Sequence, residues 1–166
     1  MLTSWLERLH DTGWALALRE NAVAFPWVEC LHVLAMTLVL GSISVVDLRL
    51  LGLAYRDRSA RRVLRDVLPV TWAGFGVAVV SGFLLFASNA PAYARNPYLR
   101  LKLALILLAG VNMAVFHLWA RHTLPAWEDE RRIPLRARLA GGVSLLCWIG
   151  VVAAARWIGF TMTGPD

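Results

Sequence analysis

The chain has 166 residues, of which 58% are hydrophobic and only 17% charged; its formal net charge is +6 and its mean hydropathy +0.58. A soluble domain of this size carries about 25% charge, because so small a globule cannot hide so much apolar surface. The composition therefore excludes a disordered segment and a disulfide-stapled module. It points instead to an apolar solvent, and the basic residues, interleaved with apolar runs, do not gather into a nucleic-acid face.

The first twenty residues do not read as a cleavable signal, since Glu7, Asp11 and Glu20 interrupt them before any apolar core forms. Trp5, Leu6, Leu9, Gly13, Leu16 and Ala17 recur at helical spacing opposite Glu7, Arg8, Asp11 and Glu20. That pattern predicts one short amphipathic helix lying in the membrane interface. Pro26 then suits the first turn of a new helix. Asn21 to Val46 contains a single charge, Glu29, and no Asp, Glu, Lys or Arg lies between Asp66 and Arg95. Eighteen uncharged residues separate Lys102 from Arg121, and seventeen separate Arg138 from Arg156. Each stretch reaches the roughly 20 residues that cross a hydrocarbon layer as a helix, the only open element whose backbone is satisfied there. The prediction is an all-α integral membrane four-helix bundle, one domain over residues 1–166, with spans at about 24–48, 68–88, 100–120 and 139–160.

Lysine and arginine counts set the orientation. The first loop holds Arg49, Arg56, Arg58, Arg61, Arg62 and Arg65, and the third holds Arg121, Arg131, Arg132, Arg136 and Arg138. The amino-terminal segment has only Arg8 and Arg19, and the second loop only Arg95, Arg100 and Lys102. The basic loops are expected in the cytoplasm and both termini outside, in a bacterial inner (plasma) membrane. Trp27, Trp119 and Trp157 fall near span ends, as interface anchors do.

Soluble-enzyme motifs are absent: there is no CxxC, glycine-rich phosphate loop or GxSxG elbow. Cys30 and Cys147 sit at different expected depths and read as packing residues. What remains is the set of polar groups inside the spans, where ionisable side chains are costly and usually face the bundle interior. Glu29, His32, Met36, Ile43 and Asp47 share one stripe of the first span. Glu29 and His32 are one turn apart, so the carboxylate can fix the ring tautomer and sharpen the free nitrogen as a metal ligand. The alternative is an interhelical hydrogen-bond pair that holds the bundle. His117 in the third span lies deeper than His32 by roughly 13 Å along the normal, a poor fit to two axial ligands of one haem. Two separate sites are expected, an outer one at His32 and an inner one at His117, although an interfacial ring would also explain His117. Arg156 matches the depth of Glu29 and is expected to pair with it or to snorkel outward. With Lys102 and Arg100 it would form a positive outer rim suited to haem propionates or lipid headgroups. Asp47, Arg49, His117 and His122 form an inner cluster.

Ser81–Gly82–Phe83–Leu84–Leu85, then Leu101–Lys102–Leu103 through Asn112 and Phe116–His117, resemble the copper-resistance D membrane domains. The Lys102-to-His117 spacing is similar to HemJ-type protoporphyrinogen oxidases, four-span proteins with haem-liganding histidines. Glu29–Cys30–Leu31–His32–Val33–Leu34 and Gly41–Ser42 before Asp47–Leu48–Arg49 resemble an uncharacterised bacterial four-span membrane family. Together these resemblances imply a small haem b protein for electron transfer or redox sensing. Its cofactor residues would be His32, His117, Glu29, Arg156 and Lys102, with His32 and His117 on the metal. A copper- or metal-handling transport protein is the alternative the resemblance carries, and an accessory membrane subunit without a cofactor is another. The expected partners are the lipid bilayer, a redox protein or larger membrane complex, and possible further copies of the chain, with no nucleic acid.

Overall fold

The computed structural model describes residues 2–55, 57–129 and 133–162, and among them every regular element is a helix. In chain order these are α1 (Leu2–His10), α2 (Gly13–Glu20), α3 (Ala24–Leu51), α4 (Ala60–Ser88), α5 (Ala90–Arg95), α6 (Pro97–Asp129) and α7 (Leu135–Met162). Four of them, α3, α4, α6 over Pro97–Ala120 and α7, are long and apolar enough to cross a membrane. The all-α, multi-pass architecture is the one the composition predicts.

Local chemistry sets the ends. The Asn21 side-chain oxygen accepts the backbone N–H groups of Val23 and Ala24, which caps the start of α3. That helix stops at Gly52, whose left-handed backbone (φ 74°) returns its N–H to the Arg49 carbonyl. Ser59 caps α4 by accepting from the Arg62 N–H. At the opposite end of the bundle, the Asn96 carbonyl accepts from the Tyr98 N–H while its amide donates to the Thr161 hydroxyl at 2.8 Å. One buried side chain thus caps α6 and ties it to the end of α7.

Helix α3 packs on α4 and on α7, and α7 packs on α6, whereas α4 and α6 meet only lightly. The core has two storeys. Toward the basic-loop end Val46, Leu50, Val63, Phe116 and Ala137 close together, and in the middle Val39, Ile43, Ala109, Cys147, Trp148 and Val151 do. Outward-facing leucines remain bare, Leu107 and Leu146 each at 70% exposure. An all-round apolar helix of this kind is stable where the surrounding solvent is hydrocarbon.

Two expectations change. The single amino-terminal helix is two helices that turn at Asp11–Thr12, where the Thr12 hydroxyl donates to the Leu9 carbonyl at 2.7 Å. Trp5 is exposed, Leu6 and Leu9 are half-buried and Ala15 is buried. The Arg19 guanidinium bonds the His10 ring and reaches the Ser88 carbonyl, which fastens this hairpin to the end of α4. The second span begins earlier than expected: Arg61, Arg62 and Arg65 belong to the first turns of α4, because the Ser59 cap starts the helix before Pro69. The helix that carries the third span continues to Asp129, while the apolar span itself ends at Ala120. Arg56, Arg131 and Arg132 lie outside the described residues, as do the side chains of Arg121 and His122.

Candidate functional site

The two ends of α3 carry different chemistry. Near its start His32 turns toward α4, with Nδ1 3.0 Å from the Ser81 hydroxyl. That hydroxyl donates to the Val77 carbonyl at 2.7 Å, so it accepts from the ring, and Nε2 keeps the lone pair. The ring lies against Gly82, where a Cβ would come within 2.9 Å of Cε1. Lys102 of α6 is near enough for its charge to act on the ring.

Glu29 does not orient His32: it is exposed, and the ring's partner is Ser81. The expected Glu29–Arg156 pair is also not formed. Among the described residues the ion pair present is Arg65–Asp66, and Arg156 places its guanidinium 4.5 Å above the Phe160 ring. Helix geometry put Glu29 and Arg156 at one depth, but they face different surroundings. The charge of Glu29 acts instead on Tyr93 in α5, whose phenol is pushed up by burial and then by that carboxylate. Arg100 bonds the Ala94 carbonyl and stays exposed. Of the expected outer set, the structure brings together His32 and Lys102 and leaves Glu29 and Arg156 outside.

Asp47, four residues before the end of α3, is the inner counterpart. It is only 2% exposed, and Oδ2 has no hydrogen-bond partner. Its setting follows from small residues on α7. A Cβ on Gly141 would lie 3.0 Å from the Asp47 carbonyl oxygen and 3.0 Å from the Leu50 Cβ, so only glycine lets the two backbones approach this closely. One turn later that approach brings the Ser144 hydroxyl into hydrogen-bond reach of the carboxylate. From α6, Asn112 and His117 complete the wall. Asn112 donates its amide to the Ala140 carbonyl at 2.9 Å, which leaves its oxygen to offer. His117 carries its proton on Nδ1, 3.0 Å from the Met113 carbonyl, which leaves the Nε2 lone pair. Together with apolar neighbours such as Leu50, Leu64 and Phe116, these four side chains line a volume of about 30 Å³. Met113, Ile43 and Ser144 also line a second cavity, of about 130 Å³, in the gap between α4 and α6.

His32 and His117 therefore occupy separate surroundings. Cys30 is exposed, Cys147 is buried, and both are free thiols. Among the described residues no group of three or more His, Cys, Asp or Glu is placed to hold a metal ion.

The chain belongs to a family of unknown function (DUF6644), which matches residues 20–161. No curated protein and no solved structure matches it. The matched segment contains α3, α4, α5, α6 and the membrane-spanning part of α7, hence both the His32 and the Asp47 sites.

Proposed function

We propose that the protein handles protons in a bacterial inner membrane and that Asp47 is its working group. The arginine-rich loops support a topology with both termini outside and Asp47 in the cytoplasmic half of the bilayer. One observation carries this reading: a carboxylate oxygen buried between two apolar clusters has no partner. A lone charge in such a place costs several kcal/mol, on the order of 3 or more, so the carboxylate is neutralised by a proton or by a bound cation. Intramembrane carboxylates that face a small polar volume are the usual stations of proton paths.

The surroundings suit transfer rather than permanent storage. His117 on α6 offers Nε2 to the same volume, and that volume has room for about one water to carry a proton between them. On α7 the Cys147 thiol is within reach of the Asp47 charge. The α4 side chains lining the volume are Leu64 and Leu68. Arg49, two residues on, is engaged with the Arg58 carbonyl at 2.8 Å.

A pH jump on the purified protein, read by a soluble indicator dye, checks the proposal. Asp47→Asn should exchange about one proton fewer per chain than the unaltered protein. An equal proton count in the two would overturn it.

A second reading, haem b on His32, keeps one observation in its favour: a half-buried imidazole with its Nε2 lone pair unused and the Lys102 cation close by. Protein produced with haem available and showing a Soret band that His32→Ala removes would favour the haem reading. No Soret band would leave Asp47 as the functional centre.

A further inference from the structure

The two volumes that meet at Ile43, Met113 and Ser144 differ in chemistry, and the difference defines a ligand. The smaller one has a mainly apolar lining into which Asp47, Asn112, His117 and Ser144 bring the polar groups. Asp47 presents the unpartnered Oδ2, Asn112 commits one of its two amide N–H groups to Ala140 and has its carbonyl oxygen as an acceptor, and His117 has Nδ1 occupied and Nε2 left. The Ser144 hydroxyl is a hydrogen-bond partner of the carboxylate. Three acceptors around one water-sized space call for a compact group with several donors and a positive charge. A primary ammonium, with three N–H donors, matches that demand.

The larger cavity is apolar and aromatic. Phe75 and Trp72 of α4 and the buried Trp148 of α7 line it, with Val39 and Ala109. At about 130 Å³ it approaches the roughly 150 Å³ that holds a benzene ring in an apolar core. It opens where α4 and α6 touch least.

We infer that this joint site binds a small primary alkyl- or arylammonium, its charged head on Asp47, Asn112 and His117 and its hydrocarbon body between Phe75 and Trp148. The inference rests on the proton-handling reading of Asp47 and names the substrate class of the same site. The exchange balances without a redox step. The protonated carboxyl group releases H⁺ to solvent as the ammonium enters, and the resulting carboxylate accepts an N–H⁺ hydrogen bond from it. Proton and organic cation then compete for one oxygen, which is the minimum that coupled exchange requires.

Benzylammonium tests the inference on the full chain in detergent, with binding read by calorimetry and proton release by indicator dye. The expected result is saturable binding that releases about one proton per ligand, weakened at least tenfold or so in Asp47→Asn. Ala109→Leu, which adds three carbons to the apolar wall, should weaken benzylammonium by a similar factor. Benzyl alcohol binding as tightly as benzylammonium would overturn the inference, as would ammonium chloride displacing the proton equally well or no binding at all. In each of those cases a proton count that still depends on Asp47 leaves the proton-handling reading standing. A count independent of Asp47 removes both.

Discussion

Gly141→Val should destabilise the bundle by about 1–3 kcal/mol, the range found when carbon atoms are forced into a filled core. The first added carbon alone would sit 3.0 Å from the Asp47 carbonyl oxygen and from the Leu50 Cβ, and the oxygen is backbone that cannot swing aside. Helices α3 and α7 would have to separate, and the Ser144 hydroxyl would move away from the carboxylate. Gly142→Val is the matched control. A Cβ there meets only the Leu51 side chain at 3.7 Å, an ordinary contact, so the change should stay within about 0.5 kcal/mol. Thermal unfolding in detergent distinguishes the two. Equal midpoints for both variants would show that the close crossing at Gly141 does not hold the bundle.

Asp47→Leu should have the opposite sign and raise stability by about 1–3 kcal/mol, because it removes a buried oxygen whose hydrogen bond is never made. Leucine has similar bulk and would lie against Val46, Leu50 and Phe116, which already pack there. Such a gain at the expense of activity is the usual mark of a side chain kept for function. A loss of about 3 kcal/mol or more would instead identify Asp47 as one half of a structural pair. Unfolding midpoints for Asp47→Leu and Asp47→Asn, measured beside the unaltered protein, separate these outcomes.

The spans were legible because hydrocarbon imposes one rule on every residue of a crossing helix, and charge-free runs record it. Loop and interface elements obey no such rule. The start of α6 and the turn at Asp11–Thr12 depend on single side chains, Asn96 and Thr12, which carry little weight in an apolar pattern. The stripe through Glu29, His32, Met36, Ile43 and Asp47 is sound as helical geometry, yet it does not distinguish the exposed Glu29 from the buried Asp47. Periodicity gives the angle of a side chain around its own helix; it does not say which neighbour covers that angle at each depth. At Asp47 the neighbour is α7, brought close by Ala137 and Gly141, a pair of small residues four apart that signals a tight helix crossing. Reading that pair together with Ser144 and Asn112 would have pointed to the inner site. At Glu29 no comparable cover exists, and the carboxylate stays exposed. His32 was located correctly on the buried side of α3, but its partner came from Ser81 on α4, a contact that local spacing within α3 does not encode.

Infrared difference spectroscopy of the protein in lipid, recorded between acid and alkaline pH, observes the proton on Asp47 itself. A buried carboxylic acid shows a C=O stretching band, sensitive to deuterium, that vanishes as the group ionises. The proton-handling account predicts one such reversible band in the unaltered protein, absent from Asp47→Asn and altered in frequency by Ser144→Ala, which removes a hydrogen bond to the same group. A difference spectrum that Asp47→Asn leaves unchanged would contradict it.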